Sequence, residues 1–199
     1  MMKKKFSFLI TVSITVIFFL NLFQSDSDRD SWQQPEKIMD TIGVKPGMTI
    51  GEPGAGEGYF TFKLSGRVGK NGKIYANDIE KKKLEKIQKI CNEKGIKNIT
   101  TILGKQDDPL FPNHQLDMVV MVYVFHHLKN PVAFLANVKP SLKDGANLVI
   151  VERDPKKYAD ASNHFMKKEA VLDIIKQADY TVTKIATFLP RDNIYICYP

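Results

Sequence analysis

Apolar and polar positions along the chain follow two periods. The stretches 48–50, 73–78, 99–103, 118–124 and 147–152 are short, apolar and bounded by Gly, Pro, Asp or Asn, which predicts strands. The segment 118–124 is apolar without alternation, as for a strand covered on both faces. Between the strands, 59–67, 80–93, 131–142 and 165–178 carry helical periodicity. In 80–93, Leu84, Ile87 and Cys91 share one face and lysines the other, and Gly95 follows as a cap. An earlier short helix falls within 31–43, where Pro35 suits the first turn, Ile38, Met39 and Ile42 share a face, and Gly43 ends it. Two last strands, 180–189 and 194–198, are joined by Pro190-Arg191-Asp192-Asn193, short enough to make them antiparallel neighbours. Strands alternating with helices predict an α/β fold: a doubly wound, mostly parallel sheet that finishes in a hairpin.

The pattern breaks at the N-terminus. Lys3, Lys4 and Lys5 precede an apolar run at 6–23, and Asp26, Asp28 and Asp30 follow it. As a helix this run is about 27 Å long at ~1.5 Å per residue, on the short side for a bilayer core. Residues 1–30 therefore read as a signal peptide or a membrane anchor with an acidic linker, and 31–199 as the folded domain. Basic residues before the run and acidic ones after it place the domain on the non-cytoplasmic side.

The 199 residues, 43% hydrophobic, supply one full-sized core. A formal charge of +7 raises the question of nucleic acid, but the lysines are scattered and few arginines accompany them, so a solvated lysine surface is expected. Cys91 and Cys197 lie far apart, without metal-ligand spacing, which points to buried thiols and to no metal site.

Chemistry concentrates where the first strand ends. Glu52-Pro53-Gly54-Ala55-Gly56-Glu57-Gly58 places glycines at alternate positions before a helix, so that backbone turns tightly and approaches a ligand with no side chain between. Ligands of such sheets bind beyond the carboxyl ends of the strands. Those ends carry Glu52, then Asp78 followed by Ile79, then Asp107 and Asp108. A carboxylate at Asp78 suits both hydroxyls of a ribose. A dinucleotide loop requires a third glycine where Tyr59 stands, and a pyrophosphate is disfavoured beside Glu52 and Glu57. An acidic rim suits a cation, and S-adenosylmethionine combines a ribose with a sulfonium and an ammonium.

The segment from Glu52 to Thr61 resembles motif I of the class I S-adenosylmethionine-dependent methyltransferases, in their small, type 11/25-like form. Leu116 to Leu128 resembles the strand-four motif of that family and 142–154 its strand-five segment, so the likeness covers most of the chain after residue 31. The resemblance implies a Rossmann-like seven-stranded sheet with an antiparallel last strand. It implies cofactor contacts from Glu52, Gly54, Ala55, Gly56, Gly58, Asp78, Ile79 and Tyr123, with Asp107 and Asp108 approaching the adenine amino group. Glu52 stands where Asp is commoner, Pro53 removes one backbone N–H, and Tyr123 stands where relatives often have a polar or acidic residue.

His126 and His127 follow the fourth strand, where the methyl group projects, and are the candidates to take a proton from the acceptor. Glu152, Arg153 and His164 lie on the strand-five side. The expected activity is methyl transfer to a small-molecule acceptor. Two other readings stand beside it: a non-catalytic exported ligand-binding relative of the same fold, and a nicotinamide-dependent dehydrogenase.

Overall fold

The computed structural model describes residues 28–158 and 165–199. The run at 6–23, with the expected signal peptide or anchor, and His164 lie outside the described residues. Among the described residues no helix is long and apolar enough to cross a membrane. The chain divides into two units, 1–34 and Pro35–Pro199. In the first, 28–33 are helical and Arg29 Nε donates to Gln33 Oε1 at 2.6 Å.

The second unit runs α1 (Pro35–Ile42), β1 (Thr49–Pro53), α2 (Tyr59–Val68), β2 (Lys73–Asp78), α3 (Lys81–Lys94), β3 (Ile99–Leu103), β4 (Leu116–Val122), α4 (Pro131–Val138), β5 (Leu142–Arg153), α5 (Lys168–Gln177), β6 (Thr181–Ala186) and β7 (Asp192–Tyr198). The seven strands form one sheet in the order β3-β2-β1-β4-β5-β7-β6. β1 to β5 pair in parallel, and β7 lies antiparallel between β5 and β6. This is the expected Rossmann-like sheet with an antiparallel last strand.

Side chains of the central strands alternate between two buried layers. Val119, Met121, Leu148 and Ile150 meet Leu135 and Val138 of α4 and Val171 and Ile175 of α5. Met118, Val120, Val122, Val149 and Val151 meet Ile38 and Met39 of α1 and Phe60 and Leu64 of α2. Burial on both faces explains why β4 and β5 read as continuous apolar runs. A third cluster seats Leu84, Ile87 and Cys91 of α3 against Ala76 of β2, with the other α3 faces left to lysines.

Boundaries moved where backbone donors and turns decide them. The helix predicted over 131–142 stops at Val138, because Pro140 has no N–H and Lys139–Ser141 tightens into a 3₁₀ turn. β5 starts at Leu142 rather than 147, since Leu142 already pairs with Leu116 of β4. α4 begins where expected: Asn130 Oδ1 accepts the Ala133 N–H at 3.2 Å and Pro131 fills the first turn. β4 ends at Val122, because Tyr123 takes a left-handed backbone, φ 57°, and a short 3₁₀ turn, Phe125–His127, follows. That turn had no periodic signature.

Candidate active site

Three loops converge beyond the carboxyl ends of β1, β2 and β4. The glycine loop after β1 is tied to β2 by the Ala55 N–H, which donates to Asn77 O at 2.8 Å, and by the Gly56 N–H, which donates to Asp78 Oδ2 at 2.9 Å. Asp78 Oδ1 accepts the Glu80 N–H at 2.9 Å at the head of α3. One carboxylate thus ties the loop to the following helix. Gly54 has φ 69°, and a Cβ built on it would lie 1.8 Å from Val124 Cγ2. Only a residue without a side chain lets the loop pass that close to the turn after β4. Gly58 also has a positive φ, 96°, at the head of α2, with Phe62 packed where a Cβ would stand.

Between these loops lies a cleft of about 360 Å³, within the range of small-molecule sites. Gly54, Asp78, Ile79 and His127 line it, joined by residues not anticipated from sequence: Lys105, Gln106, Val124, Leu128, Lys129 and Phe134. Asp78 is itself buried, and Ile79 is 55% exposed.

Other expected contact residues support the cleft from behind. Glu52 is buried under the loop, where its Oε2 accepts from Thr61 Oγ1 at 2.5 Å. Ala55 packs into the α3 cluster. Tyr123 is turned by its positive φ toward the α1/α2 layer, and its hydroxyl donates to Asp192 Oδ2. Asp107 and Asp108 are not on the cleft wall; Lys105 and Gln106 hold that place. The reason is a turn in which the Lys105 N–H donates to Asp108 O at 2.8 Å and Asp108 Oδ1 accepts the Leu110 N–H at 2.8 Å, while Asp107 O accepts from Asn137 Nδ2 at 2.9 Å.

The expected acidic rim also takes a different form. Glu57 pairs outward with Lys86, and the cleft mouth carries Lys83, Lys105 and Lys129 beside Glu80. Negative charge is instead buried. Among the described residues the buried charged residues are Glu52, Asp78, Glu152, Asp154 and Asp192. All five lie at the carboxyl ends of β1, β2 and β5, just past β5, or at the facing start of β7. Each is held by polar partners, as burial requires: Asp154 accepts the Lys156 N–H at 2.9 Å and Asn193 Nδ2 at 2.8 Å.

The two histidines behave differently. His127 lines the cleft. His126 is enclosed, its Nδ1 lying 2.9 Å from both carboxylate oxygens of Glu152, and its backbone N–H donates to Glu152 Oε2 at 3.2 Å. The rings of the two histidines are 4.0 Å apart between centroids. Arg153 stacks on Tyr123, Tyr158 and Phe165 and lies 3.7 Å from Asp192 through its Nε.

Burial pushes the Asp192 carboxyl above the ordinary aspartate value of 3.8, against the opposing pull of the Tyr123 hydroxyl and Arg153, and the nearby Glu152 charge adds to the rise. The folded state then holds this proton more tightly than the unfolded chain, so the group's stabilising contribution is present below 3.8 and is lost as pH rises through the folded value. Urea midpoints of wild type and Asp192→Asn, measured between about pH 4 and 7, should show a smaller fall with rising pH in the variant.

The model of the methyltransferase domain family matches residues 44–187, most of the chain and every residue that lines the cleft. The chain belongs to the S-adenosylmethionine-dependent methyltransferases. A SAM-dependent methyltransferase from Aquifex aeolicus superposes on this methyltransferase with a TM-score of 0.77 and 25% identity, over 82% of this chain and 88% of that one. Geranyl diphosphate C-methyltransferase from Streptomyces coelicolor A3(2), solved with S-adenosyl-L-homocysteine, shares the fold: TM-score 0.69 at 11% identity, over 85% and 79% of the two chains. Among curated proteins, the ubiquinone/menaquinone biosynthesis C-methyltransferase UbiE of Shewanella pealeana is 26% identical over 115 residues, 57% of this methyltransferase and 46% of that protein. The chain spans about half the length of the curated relatives it matches.

Proposed function

We propose that the protein transfers the methyl group of S-adenosylmethionine to a small-molecule acceptor. The observation that carries this is the tie from Asp78 to the glycine loop, set in an edge whose buried charges are all carboxylates. Each Asp78 oxygen has one acceptor position taken by a backbone N–H and another left for a ribose hydroxyl. Ile79, Leu128 and Phe134 supply apolar surface for an adenine, and the loop at Gly54 gives backbone approach for the amino-acid end. Buried negative charge at this edge favours a sulfonium over a pyrophosphate.

When bound, the cofactor supplies an electrophilic methyl group on a leaving group that departs as a neutral thioether. The chain's own residues have less to do: they align the acceptor, exclude water and receive a proton. His127 on the cleft wall is placed to receive it. The likeness to C-methyltransferases of ubiquinone/menaquinone biosynthesis makes a quinone precursor the acceptor class to assay first.

Isothermal calorimetry on the protein with S-adenosylmethionine, S-adenosylhomocysteine and NAD tests the cofactor. One-to-one binding of the first two, with no heat from NAD, is expected. Tight NAD binding without S-adenosylmethionine binding overturns the reading in favour of a dehydrogenase.

A further inference from the structure

The Glu152 carboxylate is 1% exposed and the His126 side chain 4%, at adjoining ends of β5 and β4. Glu152 takes the His126 ring at Nδ1 with both oxygens 2.9 Å away, the His126 backbone N–H at 3.2 Å, and the Arg153 backbone N–H at 2.9 Å on Oε1. A carboxylate only accepts, so this network assigns the ring proton to Nδ1. Phe165 meets the ring edge-on at 5.2 Å, and the His127 ring lies against it, tilted by 49° at 4.0 Å. Both oxygens accept a backbone N–H as well as facing the ring, a set of donors that a carboxylate satisfies and a neutral amide, with one accepting oxygen, does not.

The geometry points to Glu152 as the positioning residue of a Glu152–His126–His127 unit that takes a proton from the acceptor, so the acceptor bears a hydrogen on the atom that is methylated. This rests on the cofactor reading above. The acceptor atom's electron pair forms the bond to the methyl carbon, and the carbon–sulfur bond breaks with its electrons going to sulfur. The acceptor's proton passes to the His127 imidazole on the cleft wall. Glu152 stays ionised throughout: through His126 it fixes where the His127 ring stands, and its charge offsets the imidazolium that forms. Charged and titratable groups around this unit are Asp78 and Glu80 after β2, Lys83 of α3, Lys105 after β3 and Lys129 beside the turn on the cleft side, and Arg153 of β5 with Asp192 and Tyr195 of β7 on the Glu152 side. The Glu152–His126 contact itself lies behind the cleft wall, which His127 lines.

Glu152→Gln keeps the size, removes the charge and leaves one accepting oxygen for the two backbone N–H groups. Imidazole ¹H–¹⁵N NMR on the S-adenosylhomocysteine-bound protein follows the titration of His127. The midpoint should fall by about 0.3 unit or more in the variant, as for loss of a counter-charge that acts on an exposed, partly screened imidazole. The acid limb of methyl transfer from labelled S-adenosylmethionine to 1,4-naphthohydroquinone should move the same way. An unchanged His127 midpoint overturns the assignment and leaves Glu152 a structural pin. Should the variant not fold, wild type decides: His126 carrying its proton on Nε2 rather than Nδ1 is equally fatal. Failure of S-adenosylhomocysteine to bind wild type in calorimetry would instead sink the cofactor reading, and the NMR result would not rescue it.

Discussion

Gly54→Ala is expected to be the most damaging single-methyl change in the domain. The new Cβ would stand 1.8 Å from Val124 Cγ2 on a backbone with φ 69°, so loop and turn cannot both keep their places. A left-handed backbone costs a residue with a side chain ~1–2 kcal/mol, and forcing a methyl group into a packed contact adds ~1–3 kcal/mol. Together these predict a loss of about 2–5 kcal/mol in urea unfolding, with S-adenosylmethionine binding abolished as the loop lifts from the turn. Gly95→Ala is the control. It shares the positive φ, 66°, but meets nothing within 4 Å, so only the backbone cost of about 1–2 kcal/mol applies. Equal losses in the two variants would mean that the Val124 contact gives way freely.

Asp78→Ala is expected to weaken S-adenosylmethionine binding by ~1–3 kcal/mol, roughly 5- to 150-fold, the usual result of leaving charged hydrogen-bond partners unmade. The loss has two parts. Ribose contacts vanish, and the N–H groups of Gly56 and Glu80 lose the oxygens that order the loop and the head of α3. Asp78→Asn separates them, since an amide oxygen still accepts from one N–H while the charge is gone. Calorimetry on both variants, beside urea midpoints, gives the comparison. Unchanged affinity in Asp78→Ala removes this residue from the site.

Much of the fold was readable because its signals are local. β4 and β5 announce burial on two faces by unbroken apolar runs, and Pro35 and Gly95 mark helix ends by chemistry that acts within a few residues. The glycine loop and Asp78 were readable for the same reason: each needs only its own strand end. Pairings that depend on register were not. His126 meets Glu152 across 26 residues and Tyr123 meets Asp192 across 69, and neither separation has a periodic trace. Asp107 and Asp108 were assigned to the cofactor because they follow the third strand, where the resemblance places an acid near the adenine. In the turn they belong to, one Asp108 carboxylate oxygen accepts the Leu110 N–H, and Lys105 and Gln106 are the residues that line the cleft. An acidic rim was expected where lysines stand, because sequence order cannot say which carboxylates are buried. Glu52 and Glu57 are five residues apart, and one lies under the loop while the other reaches solvent to pair with Lys86.

The insertion of β7 between β5 and β6 bears on the order in which the molecule assembles. β6 is synthesised before β7 yet, among the described residues, pairs in the sheet with β7 alone, while β5 waits with an open edge for the same strand. Until the residues of β7 have emerged, the backbone groups of Leu148 to Arg153 that it will pair are exposed as an unprotected template. A ribosome-bound chain should therefore stay protease-sensitive through β5 and α5 up to the last strand, and then close in a single late step.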